Sequence, residues 1–99
     1  MPHEDAKTFR RRLDEFSQRL RARTAEFKDS GAFSDVHQAT LRDIERRHER
    51  LVERVSEAQR QGMTWRMIEG ECWRDFMSLF DDFVEWEDRA DAETMRSSR

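Results

Sequence analysis

His37, His48, Cys72 and a few short charged clusters are where this chain has chemistry to offer. The two histidines share one helical seam, eleven residues apart. At 1.5 Å per residue that is about 16 Å, too far for one metal ion to bridge. They read as polar residues that set the register of a seam. Glu45-Arg46-Arg47-His48 reproduces the Glu-x-x-His pattern of di-iron helical bundles. Such sites need two copies of the motif and two further carboxylates. A metal-binding, ferritin-like protein using Glu45 and His48 would therefore require an oligomer, with Arg46 and Arg47 adding unwanted positive charge.

The other clusters point to solvated surface. Asp81, Asp82, Glu85 and Asp88 carry oxygen ligands, but selective hard-cation sites need a loop that wraps the ion. Arg10-Arg11-Arg12 is the densest basic run. Nucleic-acid binding needs a basic patch that its neighbours do not cancel. Residues 3–29 sum to only +2, and the whole chain to −3. Weak nucleic-acid binding through the first helix is the lesser alternative. Ser17, Ser56 and Ser78 have no nucleophile-elbow context, and no Gly-rich phosphate loop occurs. Cys72 falls in an apolar seam and reads as a small buried hydrophobe. No catalytic residues, cofactor or resident metal are expected, and the chain is read as non-enzymatic.

The elements that would hold these residues are helices. The 99 residues allow one domain and include one Pro and three Gly. Tyr is absent and charged residues make up 41%, with both signs interleaved as on a solvated helix surface. Arg outnumbers Lys 17 to 2, which reads as the codon usage of a GC-rich, bacterial genome. No apolar run of about 18 residues marks a membrane span. Met1-Pro2-His3-Glu4-Asp5 lacks the apolar core of a signal peptide. With a single Cys, a reducing, cytoplasmic location is the expectation.

Three amphipathic segments follow from the spacing. Ala6, Phe9, Leu13, Phe16, Leu20 and Phe27 make a heptad seam with Arg23 in its one missing slot. Gly31 suits the left-handed position after that helix, and Ser34 the N-cap of the next. His37, Leu41, Ile44, His48, Leu51, Val55 and Ala58 make the second seam. It is flanked by arginines at 42, 46, 50 and 54 and glutamates at 45, 49, 53 and 57, which can pair across i, i+3. The third segment differs. Trp65, Ile68, Cys72, Phe76, Leu79, Phe83 and Trp86 form one stripe, and Trp73, Met77, Phe80 and Val84 a second beside it. Together they span about half the helix circumference. Residues 63–95 hold three arginines against ten acids, leaving −7. In heptad terms Arg10, Arg12 and Arg19 flank the first seam, and Asp75, Asp82 and Glu87 the third.

The expected fold is an all-α, antiparallel three-helix coiled-coil-like bundle. Its helices are placed at about 4–29, 34–61 and 64–92, with a flexible tail at 93–99. Gly62 would end the second helix, with Met63 and Ile68 stapled around Thr64. The alternative is a dimeric helical hairpin with one continuous helix over 34–92, because Val55, Ala58, Gly62, Trp65, Glu69, Cys72 and Phe76 keep heptad phase through the junction.

Leu13-Asp14-Glu15-Phe16, the charged middle segment, and Trp65-Arg66-Met67-Ile68-Glu69-Gly70 followed by Trp73 and Phe76 to Phe80 resemble a family of small bacterial stress-response coiled-coil proteins. The similarity covers most of residues 8–90. It departs in being Arg-rich where that family tends to Lys and Ala. The resemblance implies a non-enzymatic role tied to stress, with no binding residues to carry over. The functional expectation is a structural or interaction module. It would self-associate or dock a protein partner through Trp73, Met77, Phe80 and Val84. The acidic polar face of the third helix argues against a membrane surface.

Overall fold

A run of apolar residues at alternating 3 and 4 spacing can be buried only if the chain coils and other helices cover the seam. All three segments do this. In a computed structural model that describes residues 6–31 and 33–97, the chain forms α1 (Ala6–Ser30), α2 (Asp35–Arg60) and α3 (Trp65–Ser97). No strand occurs among the described residues. The three helices pack against one another around one core, an all-α bundle.

The core is the union of the three seams. α1 buries Phe9, Leu13, Phe16, Leu20 and Phe27. α2 buries His37, Leu41, Ile44, Leu51, Val55 and Ala58. α3 adds Ile68, Cys72, Phe76, Leu79, Phe83, Trp86 and Ala90. Each large side chain removed from water in this way contributes about 1.5–3 kcal/mol. Arg23, in the vacant slot of the first seam, reaches out to acids on α3 instead of packing inward.

The helix ends follow local chemistry. Ser34 is extended and its hydroxyl accepts the His37 N–H at 3.3 Å, capping α2. Gly31 has φ +78° and donates to the Lys28 carbonyl. Gly62 has φ +72° and donates to Gln59 O, while Met63 N–H donates to Ala58 O at 2.9 Å. These two bonds satisfy the last carbonyls of α2 and turn the chain back. The continuous helix over 34–92, and the dimeric hairpin built on it, are therefore overturned. Heptad phase could not discriminate, because it records which residues are buried and not the direction of the chain between them.

Two boundaries differ from expectation. α3 continues to Ser97, so the tail expected to be flexible from residue 93 is helical that far. No Gly or Pro occurs over residues 71–97, and Glu93 is tied to the buried His37. Residues 4, 5, 98 and 99, also assigned at the sequence level, lie outside the described residues. The charge partners differ too. Of the three acids expected to face α1, only Glu87 does, through Arg19 and Arg23. Asp75 and Asp82 turn to α2, where Arg54 and Arg47 hold them at 3.2 and 2.6 Å. Such exposed pairs contribute little to stability, about 0–1 kcal/mol.

Two predictions follow. A Cβ at Gly62 or Gly70 would meet no neighbouring atom, so backbone preference alone decides each substitution. Gly62→Ala should lower stability by about 1 kcal/mol, while Gly70→Ala, inside α3, should raise it by up to about 1 kcal/mol. Urea denaturation reads both; a gain at Gly62 would contradict the turn. Separately, Glu69 Oε2 is buried without a hydrogen-bond partner. Glu69→Leu should relieve that desolvation and stabilise by about 1 kcal/mol; a loss of stability would mean the carboxylate has a structural use.

Candidate interaction surface

The second apolar stripe of α3 lies along its edge nearest α1, and much of it is turned to internal packing. Trp73 meets Phe9 edge-on, with ring centroids 4.8 Å apart. Phe80 sits 6.3 Å from Phe16 and 6.2 Å from Phe76. The Arg19 guanidinium lies over Phe80 and Phe83 at 5.7 and 5.3 Å. Trp73, Phe80 and Val84 are thus only partly buried, at the margin of the core. Met77 projects between them and is 52% exposed.

Between α1 and α3 these side chains leave a groove of about 410 Å³, lined by Arg12, Glu15, Phe16, Arg19, Trp73, Phe76, Met77 and Phe80. The floor is aromatic. The α1 rim is charged, with Glu15 bridged to Arg11 and Arg12 at 3.8 and 3.7 Å. One end is closed by a tight ionic knot. Glu87, 5% exposed, accepts from Arg19 Nη2 at 2.7 Å and from Arg23 Nε at 2.8 Å. Arg23 also reaches both Asp91 oxygens at 2.7 Å. Burial works against the Arg23 charge, but hydrogen bonds to Asp91, Glu26 and Glu87 outweigh it and hold the guanidinium above its ordinary range. The knot was not anticipated as a pair of cations on one acid. The signal available was the vacant seam slot at Arg23, one turn beyond Arg19.

The other residues with chemistry are kept apart or already engaged. His37 is buried. Its ring Nε2 lies 2.7 Å from Glu93, and its carbonyl accepts from Trp86 Nε1 at 3.2 Å. His48 donates from Nε2 to the Leu13 carbonyl at 3.0 Å and stacks near Phe16. Glu45 is exposed and, like His48, lines an open cleft between α1 and α2. Among the described residues no three His, Cys, Asp or Glu gather to hold a metal ion. The basic run is divided: Arg10 donates to Gln59, while Arg11 and Arg12 face Glu15. In the acidic cluster Asp82 is bound to Arg47 and Glu85 to Arg89. No helix among the described residues is long and apolar enough to cross a membrane.

Comparison with protein-family models, curated proteins and solved structures returns no match for the chain.

Cys72 is fully buried in the α3 seam. Burial pushes its thiol above the usual range, and the nearby Asp75 and Glu71 carboxylates add to that against the opposing pull of Arg54. A raised pKa keeps the neutral thiol dominant to higher pH, and the thiolate is the reactive form. An aromatic disulfide reagent at pH 8 should react at least about a hundredfold faster in denaturant than in the native state. Equal rates would place Cys72 at the surface.

Proposed function

We propose that the chain is a non-enzymatic interaction module that docks a helix of another protein chain, a copy of itself or a different partner, in the α1–α3 groove. The carrying observation is Met77. It stands half-exposed in the middle of a stripe, flanked by Trp73, Phe80 and Val84, whose inner edges alone are covered. A folded protein that needed this stripe only for its own core would bury it or give it polar tips. An aromatic floor with a charged rim is the pattern of a helix-in-groove site, and aromatic and Met side chains dominate the energetics of such contacts.

The chain's reactive side chains are engaged within the fold, His37 with Glu93, His48 with the Leu13 carbonyl and Cys72 in the apolar seam, and this supports the non-enzymatic reading. Its single thiol is buried and unpaired, which fits a reducing compartment such as the cytoplasm. The resemblance of the Trp-bearing third helix to small bacterial stress-response coiled-coil proteins points the same way.

A photocrosslinking amino acid tests the site directly. Placed at Met77 in the producing cell, it should give one discrete adduct, whose mass identifies a second copy or a different protein. Placed at Arg46, on the outer face of α2, it should give none. A Met77 variant that folds but yields only free chain would sink this reading.

A further inference from the structure

A second groove lies on the other flank of α1, between it and α2. Its volume is about 610 Å³. Three of the α1 side chains that line it, Ser17, Thr24 and Ala25, are short and do not fill it. The floor is Leu20 and the half-buried Val52. The Thr24 hydroxyl is already satisfied by the Leu20 carbonyl at 2.7 Å. The two walls carry opposite charge. Arg21 and Lys28 rise from α1, and Glu45, Glu49 and Glu53 from α2. No ion pair joins the two walls among the described residues, and the Lys28 ammonium rests over Phe33. The sequence pattern had assigned the glutamate row to self-neutralisation with the arginine row beside it. In the fold Arg54 turns instead to acids on α3, and among the described residues no ion pair joins Glu45, Glu49 or Glu53 to Arg42, Arg46 or Arg50.

We propose that this cleft is the contact between two copies of the chain, related by a two-fold axis that runs along the helices. A groove with one basic and one acidic wall is self-complementary under that axis, which lays each α1 against the partner's α2. Arg21 and Lys28 then face the partner's Glu45, the partner's Glu49 and the partner's Glu53, on both sides of the axis at once. A two-fold axis crossing the cleft would set α1 on α1 and α2 on α2, opposing like charges along both walls. Charge therefore selects the pairing and its orientation. The short side chains of α1 let the partner's helix approach closely, and Leu20 and Val52 supply the apolar contact. Two α1 and two α2 helices make an antiparallel four-helix layer. This is a different flank from the α1–α3 groove, which stays open for the docking proposed above.

The test is mass in solution combined with charge exchange. At about 100 µM and low salt the wild-type chain should run at twice its 12.0 kDa mass. Arg21→Glu alone and Glu49→Arg alone should each weaken the dimer about tenfold or more, since each sets like charges together twice. An equimolar mixture of the two should recover dimers, because the mixed pair restores opposite charges at both contacts. Glu45→Arg replaces Glu49→Arg if circular dichroism finds the latter unfolded. Met77→Arg should leave the dimer intact. A monomeric wild type, charge variants that dimerise like wild type, or a mixture that fails to recover would each overturn the cleft proposal. Loss of the dimer in Met77→Arg alone would move the contact to the α1–α3 groove and leave the docking reading standing.

Discussion

The bundle depends on a ladder of rings between α1 and α3. Phe9 packs among Trp65, Trp73 and Phe76. Phe16 packs among Phe76, Phe80 and Phe83. Phe27 closes the ladder on Trp86, with centroids 5.3 Å apart and rings near perpendicular. Edge-on ring pairs add about 0.5–1.5 kcal/mol each beyond their burial. More important is their bulk. Rings of this size hold α1 hard against α3 and fix where the rest of α1 stands.

Both grooves are consequences of that choice. Drawing α1 toward α3 with rings leaves its other flank, built from Ser17, Thr24 and Ala25, short of α2. The cleft opens there. On the ladder side, rings from α3 are wider than the seam they fill, so the outer edges of Trp73 and Phe80 emerge beside Met77. α2 contributes differently. It packs on α3 through an aliphatic seam, with Arg47 and Arg54 pairing to α3 acids outside it, and Glu45, Glu49 and Glu53 face the space α1 does not fill. Surface chemistry here is set by how unequally three helices share one core.

The sequence made the seams legible because burial has a period. Every expected core position of α1 from Phe9 on is buried, and α2 departs only at His48, which is half-buried and bound to the α1 backbone. The width of the third face was legible for the same reason, but not its division between packing and exposure. That depends on which neighbour stands beside it, and Trp73 and Met77 look alike on a helical wheel. Direction was not legible from phase. Gly62 was a visible breaker, yet only its positive φ and the bonds to Gln59 and Ala58 distinguish a turn from a tolerated glycine. Charge partners were the least legible. Asp75 and Asp82 are one heptad apart and both face α2, while Glu87 lies five residues further on, a turn of about 140° at 3.6 residues per turn, and so faces α1.

Glu87 also acts as a vernier. The ring ladder repeats: Phe9 and Phe16 are seven residues apart, as are Phe76 and Phe83, so apolar packing alone is nearly indifferent to sliding α1 by one heptad. The carboxylate is not indifferent. A slide one way would replace Arg19 and Arg23 by Arg12 and Phe16, and the other way by Glu26 and Ser30. Either leaves a buried acid short of its cations, at about 3–5 kcal/mol for a broken buried pair. One charged residue thus turns a repeating surface, which would tolerate several alignments, into a fit with a single setting.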